Sequence, residues 1–179
     1  ESGVTLVASL GFENAYCFAV LRDTAERLGL RTVGDLARYS RGLSLASDYE
    51  FFARSEWRAA EASYGLAFRE QRTMDPSLLY EAAAAGQVDA ITAYSSDGRI
   101  EALGLVALED DRHAIPPYDA VVLASPRLAR DAPDVVAALR SLDGAIDVGT
   151  MRALNRLVDE EHGTPAAAAR AFLGGQNLK

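Results

Sequence analysis

The sequence predicts an α/β protein with a mixed, largely parallel sheet, followed by a helical C-terminal tail. Short apolar runs rich in branched and aromatic residues alternate with helical patterns from Val4 to Leu123. Polar turns follow several of these runs, and strands that alternate with helices over short loops are typical of an α/β sandwich. After Pro126 the composition favours helices throughout.

The first seventy or so residues contain four predicted strands and three predicted helices. The strands are Val4–Ala8 closed by Gly11, Ala15–Leu21, Leu43–Ala46, and Leu66–Thr73, whose alternating pattern predicts an exposed or edge position. The helices are Asp23–Leu28 ended by Gly29, Thr32–Tyr39 with a Thr cap, and a helix that Phe51-Phe52 start and Gly65 ends.

The segment from Met74 onward begins with a well-marked helix. Asp75 is suited to the cap position because its carboxylate accepts from unpaired backbone N–H groups, and Pro76 loses no hydrogen bond at the first helical position. Gly86 is placed to end the helix. The predicted apolar face consists of Leu78, Leu79, Ala82 and Ala83.

A buried strand and a polar turn follow this helix. Val88–Ala93 is apolar and partly β-branched, which favours a strand covered on both faces. It ends at the turn sequence Ser95-Ser96-Asp97-Gly98. Open α/β sheets usually bind ligands beyond the ends of such strands, so this turn is a candidate site. The predicted C-terminal helices are Asp134–Leu142, Val148–Glu161 and Pro165–Leu173.

Composition excludes several classes of function. With 18 basic against 26 acidic residues, a net charge of −8 argues against nucleic-acid binding and mildly favours a cationic ligand. No run approaches the roughly 18 apolar residues of a membrane-spanning helix. A single cysteine, Cys17, excludes an intrachain disulfide. The chain begins at Glu1 without Met or a signal segment, which predicts that it is processed or excised.

The sequence offers no convincing catalytic, metal or cofactor motif. His113 and His162 are isolated histidines without a second ligand at metal-binding spacing. Cys17 follows Tyr16 in an apolar strand, which favours a small core residue over a nucleophile. Asp97 and Arg99 predict a turn with a local ion pair. We therefore expect no enzyme activity, no metal and no cofactor.

Four motifs carry a resemblance to a known family. They are GFENAYCFAV, SDYEFFAR, AYSSDGRI and LEDDRHAIPPYDAVVL, in this order along the chain. Together they resemble the glycine betaine/choline/carnitine-binding proteins of ABC importers, the extracytoplasmic osmoprotectant receptors of bacteria and archaea. The resemblance extends over most of the stretch from Leu10 to Phe172.

This resemblance implies a periplasmic-binding-protein-like (type II) fold with two α/β lobes and a ligand cleft. Residues 1–12 would contain the first crossing strand, 13–118 the second, ligand-binding lobe, and 119–179 the return strand and the C-terminal helices of the first lobe. The N-terminal half of the first lobe would be missing. The chain is then a fragment, or its tail packs differently, or a second chain supplies that surface.

The resemblance also implies a ligand site. Tyr16, Tyr94 and Tyr118 match the tyrosines of the family's aromatic box, and Arg54 matches the arginine that binds a ligand carboxylate. Asn14 would orient the crossing segment, although a turn role is equally plausible. Without the resemblance, the three tyrosines would be interpreted as half-buried strand residues and Arg54 as a solvated arginine beside Glu56. The remaining tyrosines are expected to be packing or surface residues: Tyr39, Tyr49, Tyr64 and Tyr80.

The implied function is the substrate-binding component of an importer for a quaternary ammonium compound such as glycine betaine, carnitine or choline. An ABC permease in the membrane would be its partner, and the protein would be extracytoplasmic. Related receptors for other trimethylammonium compounds, ergothioneine among them, could share the pattern. The alternative is a structural fragment that self-associates, for instance as a homodimer, through the incomplete lobe and binds no ligand alone.

Overall fold

A computed structural model describes residues 3–175 of the chain, which form two compact units. The inserted unit is the continuous segment Ala15–Pro116. The terminal unit combines Glu1–Asn14 with Pro117–Lys179, of which residues 3–14 and 117–175 are described. Within the described residues, no helix is both long and apolar enough to cross a membrane.

The described strands and helices follow the predicted order, with a few additions. The strands are β1 Thr5–Glu13, β2 Tyr16–Leu21, β3 Ser44–Ser47, β4 Glu70–Thr73, β5 Ala90–Tyr94, β6 Leu105–Ala107 and β7 Asp119–Ala124. The helices are α1 Arg22–Leu28, α2 Val33–Tyr39, α3 Ser55–Tyr64, α4 Pro76–Ala84, α5 Arg99–Ala102, α6 Pro126–Asp131, α7 Pro133–Arg140, α8 Val148–Asp159 and α9 Pro165–Leu173. Short 3₁₀ helices occupy Ser40–Gly42 and Phe51–Ala53.

The inserted unit is built on a five-stranded mixed sheet with the order β4-β3-β5-β2-β6. Strand β3 runs parallel to both β4 and β5, whereas β2 is antiparallel to β5 and β6. The mixed α/β class is confirmed; of the four strand pairings described in this sheet, the two made by β3 are parallel. Strand β4 is exposed along its length at one edge, as the alternating pattern predicted.

Helices cover both faces of this sheet because its central strands are apolar on both sides. On one face, Phe18 of β2 packs in a cluster with Leu36 of α2 and Trp57 of α3. On the other face, Ile91 of β5 packs with residues of α4 such as Tyr80. The predicted double coverage of the strand that ends at Tyr94 is therefore confirmed.

Capping chemistry explains where two of the helices begin. Thr32 accepts from the backbone N–H of Asp35, and the Asp35 carboxylate accepts from the backbone N–H of Thr32, a reciprocal capping box. Asp75 caps α4 by accepting from the backbone N–H of Ser77. Both predicted caps are confirmed.

Three sequence predictions need correction. Leu78 was assigned to the buried face of α4, but its side chain is 56% exposed, and Tyr80 is buried in its place. The predicted helix from Phe51 to Tyr64 is divided into a 3₁₀ turn and α3, with Arg54 in extended conformation between them. The division matters because it gives Arg54 its position beside Tyr16.

The sequence predicted that Gly11 closes the first strand, and this prediction is wrong. Strand β1 continues to Glu13, with an irregular register against β7 between Ser9 and Glu13. Gly11 has a φ of 105°, and a Cβ there would lie 3.0 Å from the backbone oxygen of Ile146. A glycine is needed at this position because the backbone is left-handed and closely approached.

The terminal unit consists of the antiparallel pair β1–β7 and the helices α6 to α9. One part of its surface is apolar, since Leu6 and Leu123 are paired across the two strands and both are exposed. An apolar groove of about 400 Å³ lies among α8, α9 and the segment before α8; Leu154, Ala168 and Phe172 contribute to its lining.

Candidate functional site

The inserted unit brings two of the predicted tyrosines together across its sheet. Tyr16 begins β2 and Tyr94 ends β5, and the antiparallel register pairs them directly. Side chains paired in this way lie on the same face of a sheet. Their ring centroids are 4.9 Å apart with planes tilted by 34°, and Phe51 supports the Tyr16 ring at 4.8 Å. Tyr94 remains 39% exposed, so the pair is accessible.

The two tyrosine hydroxyls form a chain of hydrogen bonds that ends on a carboxylate. The Tyr94 hydroxyl donates to the Tyr16 hydroxyl at 3.2 Å, and the Tyr16 hydroxyl donates to Oδ2 of Asp48 at 2.9 Å. Burial raises the pKa of the Tyr16 hydroxyl well above its usual value of 10.0, and the hydrogen bonds with Tyr94 and Asp48 raise it further. Tyr16 is therefore a neutral donor at physiological pH.

Asp48 is the residue of this site that sequence reasoning did not assign. It lies directly after β3 and is only 9% exposed. Its Oδ1 accepts from the backbone N–H groups of Glu50 and Phe51 at 2.8 and 2.9 Å, which fixes the turn into the 3₁₀ helix. The available signal was its position, since Ser47-Asp48 is a polar pair at the end of a buried strand.

Arg54 lies beside the tyrosine pair, at the end of this turn. Its guanidinium carbon is 5.6 Å from the centroid of the Tyr16 ring. Both Nε and Nη2 donate to Oε1 of Glu56, at 3.1 and 2.9 Å, and Glu50 lies 3.6 Å from Nη1. The Glu56 side chain is 3% exposed, whereas that of Arg54 is 37% exposed. The positive charge of Arg54 therefore lies between acidic residues and an aromatic face.

The turn after β5 fixes the position of Tyr94. The Ser95 hydroxyl accepts from the backbone N–H of Ala15 at 3.1 Å, and the Ser95 backbone N–H donates to the Ala15 carbonyl at 2.8 Å. Asp97 and Arg99 form the predicted ion pair at 2.7 Å, and the Arg99 guanidinium stacks over the buried Tyr80 ring at 4.0 Å. The hydrogen bonds with Ala15 and the ion pair within the turn therefore hold the strand end.

Asn14 and Tyr118, the other two predicted site residues, belong to the terminal unit. The Asn14 backbone N–H donates to the Tyr118 carbonyl at 3.0 Å, so each lies beside the other where the chain leaves and re-enters this unit. The Tyr118 side chain is 41% exposed. Their part in ligand binding stays a prediction.

The residues for which no site role was predicted lie at the surface or pack in or beside the core. Tyr39 and Tyr49 are exposed, whereas Tyr64 and Tyr80 are buried in the two core clusters. Cys17 is half-buried beside the second cluster. Among residues 3–175, no group of three or more His, Cys, Asp or Glu side chains is arranged to hold a metal ion.

This arrangement of side chains is better suited to binding a small organic cation than to catalysing a reaction. Two tyrosine rings present π-faces, which attract cations without requiring a hydrogen-bond donor from the ligand. An arginine at the same place can bind a carboxylate through two parallel hydrogen bonds.

Comparison with known proteins gives this geometry a context. Residues 1–175 match the family described as the substrate binding domain of ABC-type glycine betaine transport systems. This chain belongs to that family. Its members are transporter components rather than enzymes.

Several relatives are similar over nearly the whole chain. The carnitine transport binding protein OpuCC of Listeria monocytogenes is 33% identical over 171 residues, which is 94% of this chain and 56% of that protein. The ergothioneine transport permease/ergothioneine binding protein EgtU of Helicobacter pylori is 28% identical and covers 97% of this chain but 32% of that protein. The chain thus spans about half the length of the Listeria protein and about a third of the length of the Helicobacter protein.

A solved structure shows the same fold. The crystal structure of a glycine betaine/carnitine/choline ABC transporter protein superposes with a TM-score of 0.90 at 35% identity. It covers 96% of this chain and 64% of that protein. The periplasmic-binding-protein-like fold implied by the sequence motifs is confirmed for this chain.

Proposed function

We propose that this chain is the ligand-binding part of an ABC importer for quaternary ammonium compounds, of the glycine betaine, carnitine and choline type. The observation that carries the proposal is the convergence of Tyr16, Tyr94 and Arg54 on one side of the inserted unit's sheet. None of these residues is adjacent in sequence to another, so their convergence is a property of the fold.

The chemistry of the pair fits such a ligand. A trimethylammonium group cannot donate a hydrogen bond, so its recognition depends on the electrostatic attraction of aromatic faces and on the exclusion of water. The Tyr16 and Tyr94 rings lie next to each other, with centroids 4.9 Å apart, and supply such aromatic surface. The Arg54 guanidinium carbon lies 5.6 Å from the Tyr16 ring centroid. This distance supports the proposal that a ligand whose trimethylammonium group contacts the rings binds Arg54 through its carboxylate.

The wider role also belongs to this proposal. A substrate-binding domain of this family acts extracytoplasmically and delivers its ligand to an ABC permease in the membrane. We propose the same partner and location here, with no cofactor, no metal and no nucleic acid. We also propose ligand-binding roles for Tyr118 and Asn14. Ergothioneine, which the name of the Helicobacter relative specifies, is a further trimethylammonium candidate.

Calorimetric titration with glycine betaine, carnitine and choline tests the proposal. We would titrate both the chain itself and a chimaera in which the preceding segment of the Listeria relative is fused to it. Replacement of Tyr16 or Tyr94 by Leu should abolish measurable binding, because Leu preserves bulk but not the π-face. Tyr49→Leu is the matched control, since Tyr49 is an exposed tyrosine outside the pair.

The outcomes separate clearly. Binding by either polypeptide that is lost in both site variants and kept in the control supports the proposal. Absence of binding to all three ligands by both polypeptides would refute the ligand class.

A second candidate function is self-association through the terminal unit. Four large apolar side chains on or next to the strand pair β1–β7 are exposed: Val4, Leu6, Val121 and Leu123. Exposed apolar strands favour contact with another chain. Sedimentation equilibrium should show a concentration-dependent mass that falls to that of a monomer when Leu6 and Leu123 are replaced by Ser. A strict monomer at high concentration would refute this candidate.

A further inference from the structure

Asp48 connects the aromatic pair with the turn that carries Arg54. One of its oxygens accepts from the Tyr16 hydroxyl, and the other accepts from the backbone N–H groups of Glu50 and Phe51. The 3₁₀ helix that starts at Phe51 ends directly before Arg54. A single buried carboxylate therefore fixes both halves of the candidate site.

We infer that Asp48 is a specificity-determining residue, which makes the site favour ligands with a net positive charge over zwitterions. The inference rests on the proposed function, because it requires a quaternary ammonium group over the Tyr16 and Tyr94 rings. It assigns to Asp48 a role opposite to that of Arg54.

The direction of the effect follows from electrostatics. Asp48 is only 9% exposed, so water screens its charge less than it would at the surface. The Asp48 carboxylate accepts from the Tyr16 hydroxyl, and a hydroxyl that donates to a carboxylate polarises its ring toward greater electron density. Both effects attract a cation to the Tyr16 face.

Choline and glycine betaine respond differently to this charge. Choline has a trimethylammonium group alone and gains the full attraction. Glycine betaine carries in addition a carboxylate, which Asp48 repels and Arg54 attracts. The ratio of choline affinity to betaine affinity is therefore set by the balance of Asp48 against Arg54.

Hydroxyl orientation is the second consequence of Asp48. Because the Asp48 carboxylate can only accept, the Tyr16 hydroxyl must donate to it, which leaves the oxygen of Tyr16 to accept from Tyr94. Asp48 thus determines the donor-to-acceptor direction of both hydrogen bonds, from Tyr94 to Tyr16 and from Tyr16 to Asp48.

Asp48→Asn isolates this role with little change in shape. Asparagine keeps one carbonyl oxygen for the N–H groups of Glu50 and Phe51, and it is equally suited to this turn. Its amide group would then face Tyr16 and donate to the hydroxyl, which reverses the direction of the hydrogen bond. We expect the ratio of choline to betaine affinity to fall by about three- to tenfold, because one buried negative charge is lost.

Asp110→Asn is a matched control within the same unit. Asp110 accepts from the Tyr64 hydroxyl and from the backbone N–H groups of Ala114 and Ile115, so it has the same type of contacts as Asp48. Tyr64 belongs to a different hydrogen-bonded cluster, which includes Arg112. This variant should leave the affinity ratio unchanged.

A ligand-free measurement distinguishes failure of this inference from failure of the proposed function. The ¹³Cζ resonance of a tyrosine reports whether its hydroxyl donates to a carboxylate. In the chain labelled at tyrosine Cζ, Asp48→Asn should shift the resonances of Tyr16 and Tyr94, whereas Asp110→Asn should shift that of Tyr64.

The combined results leave no neutral outcome. Shifted Tyr16 and Tyr94 resonances together with a reduced choline-to-betaine ratio support the inference. Shifted resonances with an unchanged ratio would overturn it while leaving the proposed function intact. An unshifted Tyr16 resonance would overturn it before any ligand is added. If the unsubstituted polypeptides bind neither ligand, the proposed function fails and this inference fails with it.

Discussion

Arg54 donates two hydrogen bonds to one oxygen of Glu56, at 3.1 and 2.9 Å. Glu56 is buried and Ser55 donates to its other oxygen, so the acidic partner is held in place while Arg54 remains partly exposed. A ligand carboxylate would therefore have to compete with Glu56 for the same guanidinium.

Replacement of Glu56 by Gln should strengthen binding of carboxylate ligands. The neutral amide preserves the shape of the side chain but removes the charge that competes for Arg54, so betaine and carnitine affinity should rise about threefold or more. Choline affinity should stay within about twofold, because choline has no carboxylate. Titration calorimetry on the variant gives both values, and a loss of betaine affinity would show that Glu56 positions Arg54 rather than competing for it.

Replacement of Arg54 by Ala should have the opposite selectivity. Loss of the guanidinium removes the carboxylate partner, which should weaken betaine about five- to tenfold, a figure reduced for the partial exposure of Arg54. Choline should be weakened far less. Equal losses for both ligands would contradict the carboxylate role. Arg58→Ala, which removes an arginine of α3 outside the tyrosine pair, is the control.

Replacement of Phe51 by Ala should destabilise the inserted unit strongly. The Phe51 ring is fully buried and contacts the rings of Tyr16, Phe18 and Trp57, so its removal leaves a large cavity. We expect a loss of about 3–5 kcal/mol in the free energy of unfolding, measured by urea denaturation followed by Trp57 fluorescence. Leu78→Ala on the exposed face of α4 should cost less than about 1 kcal/mol; a comparable loss there would contradict the observed burial.

Acid should weaken the turn that holds Tyr94. Burial opposes ionisation of Asp97, but hydrogen bonds from the Arg99 side chain and backbone outweigh this effect, so the pKa of the Asp97 carboxyl is lowered below its usual 3.8. A lowered folded-state pKa means that the contribution of Asp97 is fully present above about pH 4 and is lost as the pH falls through the folded-state value.

Asp97→Asn tests this dependence. At pH 6 the variant should be less stable than the unsubstituted chain by about 1–3 kcal/mol, and the difference should shrink at pH 3. Urea denaturation at both pH values measures it. Glu26→Gln changes an exposed carboxylate of α1 and should show a difference below about 0.5 kcal/mol at both. A difference for Asp97→Asn that grows in acid would refute the assignment.

Sequence patterns predicted most elements of the fold because their local signals are strong. The capping box at Thr32 and the Asp75-Pro76 start of α4 need only neighbouring residues, and both were predicted. Leu78 was misassigned because a helix face can be shifted by one position when several apolar residues are adjacent. Gly11 was misread because an irregular strand and a strand end use the same residue type.

The site was predictable only in part. Motifs singled out Tyr16, Tyr94 and Arg54, and the fold brings these three together, although their binding roles stay predictions. Asp48 was missed because its significance depends on a contact with Tyr16 across 32 residues of sequence, which no local pattern encodes. Its ordinary appearance after a strand is typical of many turn-forming aspartates.

The pairing of Glu13 with Asp119 has a consequence for protein engineering. The chain departs from the terminal unit and returns to it at neighbouring points, joined by the hydrogen bond between Asn14 and Tyr118. A segment inserted between two such neighbouring points can be removed, replaced or circularly permuted without distorting the unit that carries it. The segment Ala15–Pro116 should therefore be exchangeable for the corresponding segment of a relative, with the strand pair β1–β7 kept as the attachment point.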